Sequence, residues 1–102
     1  MLMSILTPPP LTPPRLNNKK DEEFLELLPV IALLPIEEVD TELHDKIKLV
    51  VELSTSNVIT LQYITGKFLD RSEVDVIDAI GQLCLFKGLH ICTDQGQLTF
   101  SL

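Results

Sequence analysis

The stretch from Val58 to Leu102 constrains the fold most, because two helical patterns are followed directly by two strands of alternating apolar and polar residues. The predicted elements are, in chain order, a short helix Leu61–Phe68, a longer helix Glu73–Lys87, and strands Leu89–Thr93 and Gln97–Leu102. Asp94-Gln95-Gly96 between the strands is typical of a hairpin turn. This order predicts a small α+β domain.

Local signals set the ends and faces of these elements. Thr60 and Ser72 are typical N-cap residues for the two helices. Lys87-Gly88 predicts the end of the second helix, through a cation and a terminal glycine. Val58-Ile59 suits a short first strand. The apolar residues that share a helix face are Leu61, Ile64 and Phe68 in the first helix, and Val76, Ile77, Ile80, Leu83 and Cys84 in the second.

A further helix is predicted over Thr41–Leu53, with Asp40 or Thr41 as its cap. Its apolar stripe is predicted to consist of Leu43, Ile47, Val50 and Leu53. With it, residues 40–102 read helix, strand, helix, helix, strand, strand.

Residues 21–39 form an apolar segment and a linker. We expect a helix that begins near Asp21 and that Pro29 ends or kinks, followed by a linker at 36–39. Two interpretations stay open: the segment covers the core of its own domain, or it docks on a partner protein. The candidate contact residues are Phe24, Leu25, Leu28, Ile31 and Leu34.

Residues 1–20 are predicted to be a disordered tail, since five of the seven prolines lie between Pro8 and Pro14. Pro10, Pro13 and Arg15 fit the P-x-x-P-x-R pattern that binds aromatic grooves of the SH3 type. The alternative is a leader without a binding role. The chain thus divides into the tail 1–20, the segment 21–39 and one domain, 40–102.

Composition limits the setting. The net charge of −7 argues against binding nucleic acid through bulk positive charge. Two cysteines make no disulfide framework, so we expect an intracellular, reducing compartment. The chain has no run of 18 apolar residues and its start does not fit a signal peptide, so no membrane association is expected.

Residues 41–102 resemble the winged-helix family, a branch of the helix-turn-helix proteins. The residues that carry the resemblance are Val58-Ile59-Thr60-Leu61, the turn Leu69-Asp70-Arg71-Ser72, Lys87-Gly88-Leu89 and the hairpin to Leu102. The resemblance implies three helices and a C-terminal β-hairpin wing. It also implies either a DNA-binding regulator or a protein-docking module of a larger assembly.

The chain departs from the DNA-reading pattern where contact would occur. The family's third helix enters the major groove with basic and amide side chains. Here the positions outside its apolar stripe are Glu73, Asp75, Asp78, Ala79 and Gln82. Residues 40–102 hold five bases against nine acids, a net of −4. We therefore predict that Asp75, Asp78 and Gln82 contact a partner protein, unless they form a plain solvated face.

Chemistry beyond binding has little support. His90 and Cys92 lie two apart on a strand, but Cys84 and His44 are poorly placed to complete a zinc site. No catalytic spacing or phosphate-binding loop is present. We expect no enzyme activity, no metal and no cofactor.

The leading hypothesis is an acidic winged helix that docks in a larger complex. Family analogy favours a nuclear or chromosome-associated complex, and a nuclear over a cytoplasmic location if the chain is eukaryotic. One alternative is a DNA-binding regulator that uses Lys67, Arg71 and Lys87 on phosphates. A second is a kleisin-like cap on an SMC-type ATPase head. A homodimer is also left open.

Overall fold

The computed structural model describes residues 19–55, 58–94 and 97–102. Its elements are α1 (Lys19–Ile31), a 3-10 turn (Ile36–Glu38), α2 (Thr41–Leu53), α3 (Leu61–Thr65), α4 (Glu73–Leu85), β1 (His90–Asp94) and β2 (Gln97–Ser101). Helices combine with a small two-stranded antiparallel sheet, so the α+β prediction is confirmed. None of the described helices is long and apolar enough to cross a membrane.

Side-chain caps begin three of the helices. Asp40 Oδ1 accepts from Leu43 N–H at 3.0 Å, which selects Asp40 over Thr41 as the cap of α2. Thr60 Oγ1 accepts from Tyr63 N–H at 3.1 Å, and Ser72 Oγ accepts from Asp75 N–H at 3.1 Å. Each bond satisfies a donor that the first helical turn leaves free. These caps were predictable because the bonds span only three residues.

The buried face of α2 differs from the predicted stripe. Leu43 and Ile47 are buried as expected, but the next buried residue is Val51. Leu53 is 68% exposed and Val50 is half-buried. Leu43 and Val51 each lie four residues from Ile47 and so on its side of the helix, whereas Leu53, six residues from Ile47, is turned about 120° away from it. The predicted stripe was therefore wrong at its C-terminal end.

Helix α3 is shorter than predicted, since Gly66 is already its C-cap. Leu61, Ile64 and Phe68 are nevertheless all buried, as expected. The predicted first strand at Val58-Ile59 is wrong. A backbone bond from Phe100 N–H to Ile59 O at 3.1 Å joins this segment to β2.

Helix α4 ends at Leu85, two residues before the predicted end. The left-handed residue after it is Lys87, with φ 75°, and not the glycine. Gly88 is needed for a different reason. A Cβ on it would lie 2.4 Å from Leu83 Cδ2 and 2.9 Å from Lys48 Cε, so a larger residue would have to displace both side chains.

The hairpin pairs His90 with Ser101 and Asp94 with Gln97 in antiparallel register. Leu98 and Phe100 face the core, but Leu102 is 53% exposed and lies outside β2, contrary to the predicted apolar alternation. Of the predicted turn residues, Gln95 and Gly96 lie outside the described residues.

Helix α1 continues through Pro29 to Ile31, so Pro29 does not end it. Phe24 is fully buried, and its ring meets that of Phe100 edge to face with the centroids 6.0 Å apart. Ile31 is also buried, against Gly81 of α4. Of the two interpretations, the described structure has this segment covering its own domain. Lys19 and Lys20 belong to α1 and not to the tail, whose motif residues Pro10, Pro13 and Arg15 lie outside the described residues.

Candidate partner-binding cleft

A cleft of about 330 Å³ opens between α4, the N-terminal end of α2 and the segment that leads into it. Its lining residues are Leu34, Glu38, Asp40, Leu43, Arg71, Asp75, Asp78, Ala79 and Gln82. Four predicted contact residues, Leu34, Asp75, Asp78 and Gln82, therefore meet at one place. We call this site the acidic cleft.

Asp75 and Asp78 supply negative charge from α4. Asp75 is exposed and Asp78 is half-buried. Partial burial raises the pKa of Asp78 above its ordinary value, and the nearby charge of Asp75 raises that pKa further. Neither carboxylate forms an ion pair with another described residue. The cleft thus presents two acids whose mutual repulsion is uncompensated.

Arg71 is the cation of this cleft, and Asp40 already binds it. Arg71 NH1 donates to Asp40 Oδ2 at 2.8 Å. This bond lowers the pKa of Asp40, with a further contribution from Leu43 N–H, and it raises the pKa of Arg71. Because Asp40 caps α2 with its other oxygen, the ion pair ties the turn before α4 to the start of α2. Sequence reasoning missed this pair, since 31 residues separate its members.

Gln82 was predicted to be exposed, and this prediction is wrong: the residue is only 5% exposed. Its Oε1 accepts a hydrogen bond from Nε2 of the buried His44 at 2.8 Å. Ala79, also predicted to lie outside the buried face, is 3% exposed. Gln82 and Ala79 are buried for the same reason. Helix α2 packs on this side of α4, so a larger part of the α4 surface is buried than its apolar stripe predicts.

The remaining predicted contact residues face inward. Phe24 and Ile31 are buried, and Leu25 and Leu28 are half-buried against the core. Only Leu34 of this set lines the acidic cleft. Among the described residues of the segment, the large apolar side chains that are exposed are Leu27, Val30 and Leu33.

Three other cations have partners elsewhere. Lys20 pairs with Glu73 at the start of α4, and Lys46 pairs with Glu42 at 3.2 Å. Lys67 Nζ lies 4.9 Å from the centroid of the Tyr63 ring. No cation other than Arg71 lines the acidic cleft among the residues that the structure describes.

A second, more apolar cleft of about 280 Å³ lies on the far side of Gln82. Its lining residues are Val39, Thr41, His44, Asp45, Lys48, Gln82, Leu83, Phe86 and Gly88. Gln82 lines both clefts, so its bond to His44 forms part of the wall between them.

Within residues 19–55, 58–94 and 97–102, no group of three or more histidine, cysteine or acidic side chains could hold a metal ion. Cys84 is half-buried, and burial raises the pKa of its thiol to about 11. Cys92 is exposed, with its Sγ 3.2 Å from Thr99 Oγ1.

No protein-family model matches the chain, and neither a curated protein nor a solved structure is significantly similar to it.

Proposed function

We propose that this chain is a non-enzymatic protein-interaction subunit whose acidic cleft binds a lysine or arginine side chain of a partner protein. The observation that carries the proposal is the pair Asp75 and Asp78, which line a concave site while the cleft's own cation is held by Asp40. A nuclear or chromosome-associated assembly is the setting that we propose, by family analogy alone.

The shape and charge of the cleft favour such a ligand. A cation from a partner would offset the repulsion between Asp75 and Asp78, and charge complementarity of this kind directs specificity and association. The cleft is also lined by Leu34, Leu43 and Ala79. Lysine and arginine carry an alkyl stem below their charge, and apolar residues of this kind can contact it.

The winged-helix interpretation is part of this proposal. It is supported by the order α2, α3, α4, β1, β2 and by the side-chain caps of the three helices. The bond between Phe100 N–H and Ile59 O joins the chain segments that the family's first and last strands would occupy. The absence of a regular strand at 58–59 is a departure from that pattern.

The same surface disfavours the DNA-binding alternative. The exposed acid Asp75 would face phosphates and repel them, whereas Lys20 already offsets the charge of Glu73. Of the three cations that such a regulator would use, Arg71 is already paired with Asp40. No specific contact favours the regulator or the kleisin-like alternative.

Zero-length carbodiimide coupling tests the proposal, since it joins a carboxylate to a neighbouring lysine amine as an amide. The tagged full chain is treated in a lysate of its own source cell, and the linked peptides are mapped by mass spectrometry. We expect links from Asp75 or Asp78 to one partner. The double variant Asp75→Asn/Asp78→Asn should lose that partner.

The matched control is Glu22→Gln/Glu23→Gln, which removes the same charge from exposed positions of α1. It should retain the partner. Retention of the partner by both double variants, or its loss from both, would reject the acidic cleft as the binding site.

Measuring binding to a labelled duplex of about 20 base pairs at low salt distinguishes the DNA-binding alternative from the proposed protein-interaction function. We expect no more binding than a neutral control protein shows. Submicromolar binding that Lys67→Ala/Arg71→Ala abolishes would replace the proposal with the regulator.

A further inference from the structure

The outer edge of β1 has no backbone partner among the described residues. Strand β2 lies between β1 and Ile59: it pairs with β1 on one side, and Phe100 N–H donates to Ile59 O on the other. Strand β2 is the only described element that packs extensively on β1. No other residue that the structure describes pairs with the opposite edge of β1, which we call the open edge.

The register determines which groups this edge offers. Phe100 N–H points to Ile59 and so away from β1, which makes Ile91 and Phe100 a non-hydrogen-bonded pair. The N–H and C=O of Ile91 then point to the open edge. By alternation, so do those of Thr93.

This edge carries few of the features that usually prevent pairing. Protected edges are very short or carry charged residues, especially lysine, or proline or a bulge. Strand β1 has no lysine or proline, its register with β2 runs without interruption, and its one acidic residue, Asp94, is the last residue of the strand. Ile91 and Thr93 are β-branched, which favours strand pairing.

We propose that β1 pairs antiparallel with β1 of a second copy, about a two-fold axis at Cys92, to form a four-stranded sheet. Ile91 of each copy then lies opposite Thr93 of the other, and the two pairs exchange four backbone hydrogen bonds. An axis at Ile91 or at Thr93 would place one outward residue opposite a position outside β1.

A second copy suits this edge better than an unrelated strand. The two outward residues are placed symmetrically about Cys92, so the strand complements itself. The residue on the axis is an uncharged cysteine, so the pairing brings no like charges together there. This surface is separate from the acidic cleft.

A disulfide between the Cys92 residues of two copies would detect the pairing directly. It lies opposite itself in a non-hydrogen-bonded pair, with Cα atoms about 4.5 Å apart, which is within the range of a disulfide. Diamide should therefore link the copies: two Cys92 thiols give up two electrons and two protons, the S–S bond forms, and diamide becomes the hydrazine. Cys84 is a poor competitor because it is half-buried and its pKa is raised to about 11.

The decisive measurement is sedimentation of the full chain in reductant up to about 1 mM, which detects weak association. We expect a dimer that Thr93→Pro weakens about 30-fold. The variant removes one outward N–H per copy and so two of the four bonds. The loss of each bond should raise the dissociation constant of the dimer roughly fivefold. Circular dichroism checks that the variant is folded. If it is not, Thr93→Lys, which puts a charge on the edge, serves in its place.

Cys92→Ser is the control for the cross-link. It should still dimerise but should form no disulfide with diamide. The proposal is overturned if the wild type stays monomeric throughout, if a folded edge variant dimerises as tightly as the wild type, or if Cys92→Ser cross-links equally well.

Discussion

The two sides of α4 show how differently one helix can be covered. On the side that faces α1, Gly81 lets the Ile31 side chain approach so closely that an added Cβ would lie 2.5 Å from Ile31 Cδ1. On the side that faces α2, packing is completed by a polar bond between Gln82 and His44. Toward its N-terminal end, that second side opens into the acidic cleft.

The comparison shows that the charge at the surface of α4 depends on how much of the helix its neighbours cover. An apolar side chain of α1 covers Gly81 on the first side, whereas α2 covers only part of the second. Asp75 and Asp78 lie where coverage ends, so both line the acidic cleft beside apolar walls. We therefore expect substitutions on the two sides to differ in the size of their effect and in the property that they change.

The largest effect is expected on the α1 side. Phe24→Ala should lower the free energy of unfolding by about 3–5 kcal/mol, since it removes a fully buried ring that packs on Phe100. Chemical denaturation of the purified chain measures this. Phe86→Ala is the matched control, because that ring is 44% exposed and its loss should cost far less. Equal, small effects would mean that α1 does not stabilise this domain.

A smaller loss is expected on the α2 side. Gln82→Leu keeps the approximate volume but leaves buried His44 without its acceptor, at a cost of about 1–3 kcal/mol. The same substitution at exposed Gln62 should change stability by less than about 0.5 kcal/mol. Thermal unfolding of both variants compares them, and no difference between them would refute a structural role for the Gln82–His44 bond.

The smallest effect concerns pH and the cleft. The pKa of Asp78 is raised by burial and by Asp75, so the folded state binds this proton more tightly than the unfolded chain does. The contribution of Asp78 to stability therefore falls as pH rises from about the ordinary value of 3.8 through the raised pKa. Asp78→Asn should remove this slope and stabilise the chain slightly at neutral pH.

Two measurements sharpen that expectation. Carboxyl chemical shifts in an NMR titration should show the pKa of Asp78 moving toward its ordinary value in Asp75→Asn. Asp45→Asn, at an exposed position of α2, should leave the Asp78 titration unchanged. An unaltered Asp78 titration in Asp75→Asn would show that the two acids do not interact.

Sequence reasoning worked where a signal is local. Thr60 and Ser72 were identified as caps, and the hairpin register follows the alternation of Leu98 and Phe100. It failed where the answer depends on a distant neighbour. Leu53 was assigned to a buried stripe that ends at Val51, and Val58-Ile59 to a strand that the structure does not form. The acids of the cleft were predicted from the sequence, but its concave shape was not.

The residue pattern alone was enough to predict where α2, α3 and α4 begin, which residues of α3 and α4 are most apolar, and the negative charge around Asp75 and Asp78. The burial of Gln82 and Ala79, the ion pair of Asp40 with Arg71, and the covering of the core by α1 depend on how the helices pack together. The two groups of features differ in the distance along the chain over which their causes act. Caps and periodicity act over three or four residues, whereas burial and ion pairing depend on which distant segments pack together.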